Sequence, residues 1–207
     1  MATARMVRNE IDREDAQCIE RFLAGDDRAF EELLFRYQRR IFNLALRFLR
    51  VPDEAEDVTQ EIFVKVFRSL EGFRGDSKFS TWLYMVAANH CRNRIKYLKR
   101  RHYYDGESLD APIDDDDGPR RQYAANDPDP AELVSAERTR IAVRKAIDRL
   151  NDDHREAIVL CDLQGLSYEE IAEITGQAVG TVKSRIHRAR SELAKMLKPL
   201  VEAEGVG

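Results

Sequence analysis

The stretch that decides the fold is LSYEEIAEITGQAVGTVKSRIHRARSELAKMLK, at residues 166–198. Ser167 and Glu170 have the spacing of a capping box, in which each side chain binds a free backbone N–H at the start of a helix. Gly176 then interrupts the pattern, and apolar residues return at steps of three and four through residues 179–197. The stretch therefore predicts two helices joined by a tight turn.

The second of these helices carries a cationic face opposite its apolar one. Its polar residues are Lys183, Ser184, Arg185, His187, Arg188 and Arg190. A basic amphipathic helix is also typical of a solvated surface, but the capped helix and glycine turn before it favour a DNA-reading helix-turn-helix. In that motif the first half of the second helix enters the major groove, where arginine can bind guanine edges or phosphates.

Composition excludes several classes of protein. The chain has 207 residues, of which 43% are hydrophobic and 35% charged, as expected of a soluble, largely helical protein. We find no apolar run of membrane-spanning length and no secretory signal, so we expect a cytoplasmic protein without direct membrane insertion. Cys18, Cys91 and Cys161 are widely separated in the sequence, which favours reduced thiols over a metal site. We expect no cofactor, no metal and no catalytic centre.

The net charge of −4 conceals a strong asymmetry along the chain. Residues 101–135 hold 3 Lys and Arg against 10 Asp and Glu, including the run Asp114 to Asp117, whereas residues 77–104 hold cations and no acid. Because local charge governs an encounter with phosphates, the basic segment remains compatible with nucleic acid. The acidic segment is also rich in proline and poor in periodic apolar residues, which is typical of a flexible linker.

These patterns predict an all-α protein with two small helical domains joined by a flexible acidic linker. The predicted segments are an N-terminal tail at 1–14, a four-helix domain at 15–101, the linker at 102–135, a helix-turn-helix domain at 136–200 and a C-terminal tail at 201–207.

The four predicted helices of the first domain have recognisable limits. The first is short and ends at Gly25, the second begins near Asp26 or Asp27 and is ended by Pro52, the third covers about 53–70, and the fourth begins near Ser77 or Phe79. In the third helix, the residues predicted to point inward are Val58, Ile62, Val66 and Phe67. Its opposite side is acidic and polar.

The fourth helix combines aromatic residues with cations. Phe79, Trp82, Tyr84 and Asn89 precede a basic segment, which is a combination that can hold an unstacked base and its backbone. The spacing of Phe79 and Trp82 also fits core residues, and for Trp82 alone the core is the favoured interpretation.

Three motifs together resemble a known family. They are DVTQEIF at 57–63, FRGDSKFSTWLY at 73–84, and GTVKSR at 180–185 followed by RAR at 188–190. In this order and spacing they resemble the extracytoplasmic-function sigma factors of bacteria, of the sigma-E type, over about residues 15–200. The resemblance implies a specificity subunit of RNA polymerase and not an enzyme, with sigma domain 2 followed by sigma domain 4.

The resemblance also implies residue roles. Residues matching the segment that docks on the clamp helices of the polymerase's largest subunit are Asp57, Gln60, Glu61 and Phe63. Residues matching the element that captures a flipped base of the −10 element, or holds nearby backbone, are Arg74, Asp76, Ser77, Lys78, Trp82, Asn89, Arg92, Lys96, Lys99 and Arg100. Residues matching the helix that reads the −35 element are Lys183, Ser184, Arg185, His187 and Arg188.

The partners implied are core RNA polymerase, including the flap of its second-largest subunit, promoter DNA and an anti-sigma factor. The protein would act as a monomer within the holoenzyme, in a stress or envelope response.

Two other interpretations remain open at this stage. A transcription regulator of the response-regulator type has a similar helix-turn-helix, but it would need a receiver domain with alternating strands, and residues 1–100 show no strand-like runs. A redox or metal sensor would rest on the adjacent pair His90 and Cys91.

Overall fold

The computed structural model describes residues 2–105 and 130–203, which form α-helices and contain no strand. The helices are α1 (Ala2–Leu23), α2 (Asp27–Leu49), α3 (Pro52–Ser69), α4 (Phe79–Asp105), α5 (Pro130–Arg149), α6 (Asp152–Ile158), α7 (Tyr168–Thr175) and α8 (Val179–Ala203). A 3-10 turn at Leu70–Gly72 follows α3, and a π-helical turn at Val159–Leu163 follows α6. The predicted all-α class is confirmed.

The junction between α2 and α3 shows how the sequence sets the helix limits. The α2 helix ends at Leu49, and Arg50 adopts a left-handed conformation with φ of 62° while its N–H binds the carbonyl of Leu46. Pro52 is the first residue of α3, a position that suits proline because its fixed φ is helical and it lacks an N–H that would otherwise be unpaired.

The first unit consists of α1 to α4, and its core is built around α2. Its fully buried side chains include Leu33, Tyr37, Ile41 and Leu44, against which α3 and α4 pack. Of the residues predicted to point inward from α3, Val58, Ile62 and Val66 are completely buried.

Phe67 was wrongly predicted to be a core residue, since 44% of it is exposed. Its ring lies at the edge of the unit and makes edge-on contacts with Phe22 and Phe30, at centroid distances of 5.3 and 5.0 Å. The prediction failed because helical spacing identifies the general direction of a side chain and not the depth of the neighbouring helices at that point.

Two predicted limits also differ from the structure. The first helix extends from Ala2 to Leu23 and so includes most of the predicted N-terminal tail. At the other end, α4 continues to Asp105 and α5 begins at Pro130, both within the segment predicted as linker. Pro130 was interpreted as a linker residue, whereas proline is well suited to the first position of a helix. The aspartate run at 114–117 lies outside the described residues.

The second unit, which consists of α5 to α8, contains the predicted capping box and turn. The N–H of Glu170 donates to Ser167 Oγ at 3.2 Å, and the N–H of Ser167 donates to Glu170 Oε2 at 2.8 Å. Gly176 ends α7 with φ of 67°, a conformation that glycine adopts without the steric cost of a side chain. In α8, Val182, Ile186 and Ala189 are buried as predicted, but Val179 is 41% exposed because it lies at the start of the helix.

Candidate nucleic-acid interface

The polar face of α8 presents its predicted DNA-contact residues in two ways. Lys183, His187 and Arg188 are exposed. Ser184 Oγ donates to the carbonyl of Thr181 at 2.9 Å, which leaves the oxygen's lone pairs as acceptors. These residues share the first half of α8, so the structure brings them together as the sequence predicts.

Arg185 differs from its neighbours because it is held by an acidic partner. Its Nη2 lies 3.2 Å from Asp153 Oδ2, and its side chain is 21% exposed. Together with Ser184 and Arg188, it lines an open cleft of about 510 Å³ between α8 and the beginning of α6. The ion pair orients the guanidinium toward this cleft. Because the pair is partly exposed, a phosphate or a base edge can replace the carboxylate of Asp153 as the partner of Arg185.

Arg190 is exposed on the same side of α8 as Lys183, seven residues earlier, but unlike Lys183 it is held by a carboxylate. Its Nε and Nη2 bind the two carboxylate oxygens of Asp162 at 3.2 and 2.5 Å. This bidentate contact raises the pKa of Arg190 and ties α8 to the π-helical turn before the helix-turn-helix. Arg190 therefore positions the reading helix, and a partner 28 residues earlier could not be recognised from helical spacing.

A second polar stripe runs along α4. The residues on it recur at steps of three, four and seven, and they are Trp82, Asn89, Arg92, Lys96, Lys99 and Arg100. At 1.5 Å per residue the stripe is about 27 Å long. Six of the ten residues predicted for the −10 element thus share one face.

The other four lie in the loop before α4. Arg74, Asp76 and Lys78 are exposed and Ser77 is half-buried, while Lys78 Nζ binds Asp12 Oδ2 of α1 at 2.7 Å. Gly75, with φ of 75°, turns the chain between them.

Trp82 connects the loop to the stripe. Its ring packs against Phe73 at 5.2 Å and Phe79 at 5.9 Å between centroids, and the indole is only partly buried. One side of the indole therefore supports the loop, and the remaining surface is accessible to a ligand.

Two cations on the α4 stripe already have acidic partners in the second unit. Arg92 Nη1 lies 3.3 Å from Glu156 Oε1, and Arg92 also donates to the side-chain carbonyl of Asn89. Lys99 Nζ lies 2.5 Å from Asp152 Oδ2. Lys96 and Arg100 are exposed, as Lys99 is, and Arg100 Nε donates to the carbonyl of Lys96.

The acidic side of α3 forms a separate surface. Asp57, Gln60 and Glu61 line a cleft of about 800 Å³, together with Val64, Lys65, Arg68 and Ser69. Val64 is 50% exposed, so the surface combines charge with apolar contact area. Phe63 is only 7% exposed, and its place in the core removes it from the surface that a partner could touch directly.

Glu61 is bound by two side chains of α4, His90 and Arg94, which the sequence pattern had not linked to it. His90 Nε2 lies 2.7 Å from Glu61 Oε2, and Arg94 Nη2 donates to Glu61 Oε1 at 2.9 Å. The hydrogen bond with His90, followed by the charge of Arg94, lowers the pKa of Glu61. The four-residue step from His90 to Arg94 on α4 was the available signal, because it places both on one face.

The part of the chain that the structure describes holds neither a metal-ligand cluster nor a membrane-spanning helix. No group of three or more His, Cys, Asp or Glu side chains there could hold a metal ion. Among the helices at 2–105 and 130–203, none is both long and apolar enough to cross a membrane.

Two family models match the chain. The model of Sigma-70 region 2 matches residues 33–101, which include α3 and the α4 stripe. The model of Sigma-70 region 4 matches residues 140–193, which include the helix-turn-helix.

Individual relatives agree with these matches. The chain is 39% identical to the RNA polymerase sigma-H factor of Pseudomonas aeruginosa over 189 residues, which cover 91% of this chain and 96% of the relative. It is also 39% identical to the ECF RNA polymerase sigma-E factor of Escherichia coli K12 over 188 residues, which cover 90% and 96%.

A solved structure extends the comparison to three dimensions. The sigma factor RpoE of Bartonella quintana, crystallised with the anti-sigma factor NepR, is 28% identical with a TM-score of 0.61, covering 82% of this chain and 96% of that one. The chain therefore belongs to the sigma-70 family, as an extracytoplasmic-function RNA polymerase sigma factor.

Proposed function

We propose that the chain binds core RNA polymerase and directs promoter-specific transcription initiation. The observation that carries this proposal is the exposed set Lys183, His187 and Arg188 on α8, behind a capped partner helix. This set has the position and donor chemistry needed to read the −35 element in the major groove.

The −10 element is assigned to the loop at 73–78 and the polar stripe of α4. Asn89 is exposed and carries an amide that can bind the edge of a flipped base, and it lies on the same face of α4 as the partly buried ring of Trp82. Lys96 and Arg100 would hold the backbone of the opened strand, since exposed cations provide a groove for phosphates.

Core polymerase is assigned to the acidic side of α3. Asp57, Gln60 and Glu61 line one cleft next to the exposed Val64, and this mixture suits the clamp helices of the largest polymerase subunit. Phe63 would support this surface from the core. The domain at 136–200 would contact the flap of the second-largest subunit.

The chain would act by binding alone and not as an enzyme. Two DNA-contact units on one chain make the second contact intramolecular, which raises its effective concentration. Holding Asn89 and Trp82 against an unpaired base would offset part of the free energy needed to separate the strands.

We also propose control by an anti-sigma factor, as part of a stress or envelope response. The relative from Bartonella quintana was crystallised with such an inhibitor, which supports the same kind of partner here. The chain would act in the cytoplasm, where a soluble or membrane-bound inhibitor would hold it.

Reconstitution with core polymerase tests the proposal. Adding the chain to core polymerase on a genomic library should yield transcripts whose start sites share spaced −35 and −10 elements. Initiation from no promoter at all would refute the function.

Asn89→Ala provides a sharper test of the −10 assignment. The holoenzyme should still form and bind promoter DNA, but opening, measured by permanganate reactivity of unpaired thymines, should fall severalfold. Loss of core binding instead would show that Asn89 has a structural role.

The competing interpretations receive less support. Residues 2–105 form helices without a strand, which argues against a receiver domain. Cys91 is fully buried, and His90 is engaged with Glu61, so the adjacent pair does not form a sensor site.

A further inference from the structure

The α4 helix has a second buried face beside its polar stripe. Tyr84, Ala88, Cys91 and Leu98 recur at steps of four, three and seven and are between 0% and 6% exposed. The face that packs on α3 is a different one, since His90 and Arg94 point to Glu61. The second face meets the C-terminal unit, because Tyr84 Oη donates to Gln164 Oε1 at 2.8 Å.

Charged contacts surround this apolar face. Arg92 reaches Glu156, whose side chain is only 8% exposed, and its Nη2 also lies 3.5 Å from the carbonyl of Ile174. Lys99 binds Asp152 at 2.5 Å.

The α2 helix adds a third connection at the end of α5. Arg50 Nη1 donates to the carbonyl of Asp148 at 3.0 Å, and Arg47 Nη1 lies 3.9 Å from the carboxylate of the same residue. The two units thus meet through an apolar face with cations on one side and acceptors on the other.

This contact uses residues that the proposed function requires elsewhere. Arg92 and Lys99 lie where the apolar face and the polar stripe of α4 meet, and both are assigned to the promoter backbone. Carboxylates and phosphates offer the same anionic oxygens to such cations. A chain in which Asp152 and Glu156 hold these cations cannot bind DNA with them at the same time.

We propose that the acidic beginning of α6 is an intramolecular substitute for promoter DNA, which closes over the −10 surface of α4 until the two units separate. This inference rests on the proposed function, because it takes Arg92 and Lys99 to be promoter contacts. Glu156 is the central residue of the closure, since Arg92 is its ion-pair partner.

The contacts suit a closure that a partner can open. Lys99 and Asp152 are exposed by 55% and 36%, so their ion pair is weak and screened by salt. Burial raises the pKa of Glu156, which shows that the charged form is held there at a cost that Arg92 only partly offsets.

The test compares the full chain with Asp152→Asn/Glu156→Gln, which keeps the shape of both side chains and removes both charges. The control is Glu169→Gln/Glu173→Gln, which removes two charges from exposed positions of α7. This control accounts for the general gain in DNA affinity that follows the loss of negative charge.

Two measurements are made on the three proteins without polymerase. The first is the rate constant at which iodoacetamide alkylates the Cys91 thiolate, taken from the pH dependence of alkylation and determined by mass spectrometry of the Cys91 peptide. The pH dependence is needed because burial and the charge of Glu156 raise the pKa of Cys91, so that the substitution also changes the thiolate fraction. The second is the affinity for a fluorescent single-stranded oligodeoxynucleotide from the non-template strand of a promoter identified by reconstitution.

We expect the Asp152→Asn/Glu156→Gln protein to be alkylated at Cys91 about fivefold faster than the control and to bind the strand about threefold more tightly. The reason is that the two units are separated in a larger fraction of the molecules. Equal alkylation in variant and control would overturn the closure. Faster alkylation without tighter binding would overturn the masking of DNA. Failure of all three proteins to bind the strand or direct initiation would refute the proposed function, while alkylation would still decide whether the units close.

Discussion

At the scale of single residues, Arg188 and Arg190 illustrate two roles for one residue type. They are two positions apart on α8, and both are exposed. Arg190 is bound to both oxygens of Asp162, whereas Arg188 lines the open cleft beside Ser184 and Arg185. The first is held by a contact within the chain, and the second is a proposed DNA contact.

Arg188→Ala should therefore weaken binding of the holoenzyme to its −35 element by about 1–3 kcal/mol, the range for a bidentate base contact. The measurement is promoter affinity with the native and a scrambled −35 element, and the scrambled site should show little loss. Equal losses on both sites would assign Arg188 to the phosphate backbone instead.

Arg190→Ala is the matched comparison. We expect a lower melting temperature in this variant and an unchanged one in Arg188→Ala. The destabilisation should be below about 1 kcal/mol, because the ion pair is half exposed.

Asp15 allows a prediction about pH. Its carboxylate is 1% exposed and accepts hydrogen bonds from Tyr37 Oη at 2.5 Å and from Arg36, which fastens α1 to α2. Burial raises the pKa of Asp15 above 3.8, and the hydrogen bonds from Tyr37 and Arg36 only partly oppose this. The native state therefore binds a proton more tightly than the unfolded chain does.

The contribution of Asp15 to the free energy of unfolding should be largest below pH 3.8 and decline as the pH rises through its native pKa. Urea unfolding of the parent and Asp15→Asn between about pH 4 and pH 7 should show the parent losing stability relative to the variant. A parent that gains stability relative to Asp15→Asn over this range would show that the pKa is lowered.

Asp15→Ala should have a lower free energy of unfolding than Asp15→Asn at every pH, by about 1–3 kcal/mol. The reason is that alanine leaves the buried Tyr37 hydroxyl without an acceptor. Tyr37→Phe in the Asp15→Ala background should recover part of this loss.

The limits of sequence-based prediction at this scale follow from distance along the chain. Lys183, His187 and Arg188 could be placed on one face because helical spacing is local. The carboxylates that bind Arg190 and Arg92, and the His90 side chain that binds Glu61, lie 28 or more residues away along the chain. Only tertiary packing brings these groups together.

At the scale of elements, the capping box of α7 was fully predictable. Ser167 and Glu170 act within one turn, so their hydrogen bonds require no information from the rest of the fold. The extent of α1 was not predictable to the same degree, because its first turns lack a cap signal and its apolar positions are sparse.

Ser167→Ala should reduce the free energy of unfolding of the chain by about 1 kcal/mol, the usual effect of losing an N-cap acceptor. Ser191→Ala, at an exposed position within α8, is the control and should have little effect. Chemical denaturation of both variants provides the comparison. A Ser167→Ala protein as stable as its control would mean that the cap contributes nothing beyond solvent hydrogen bonds.

The α4 helix shows why one element can serve three surfaces. One face packs on α3, a second meets the C-terminal unit, and the polar stripe carries the proposed −10 contacts. The aromatic and basic character of this helix is evident from the sequence, but the second buried face was not predicted. A helix with apolar residues around most of its circumference requires more than one partner, and the spacing alone does not identify the second.

At the scale of the whole molecule, the distribution of charge matters more than its sum. The cations of α4 and the carboxylates at the start of α6 are complementary across the contact between the two units. Such pairs favour one orientation over others even where each contributes little free energy. Reversing one charge of such a pair should therefore weaken the contact, and reversing both should restore it.

Lys99→Asp and Asp152→Lys should each place like charges opposite one another and shift the chain toward a more extended form. Combining the two substitutions restores opposite charges at the same positions, so the double variant should return toward the parent's dimensions. The measurement is the radius of gyration from small-angle X-ray scattering at low salt, repeated at high salt, where the differences should shrink because these charges are exposed. A double variant at least as extended as both single variants would show that Lys99 and Asp152 do not interact in solution.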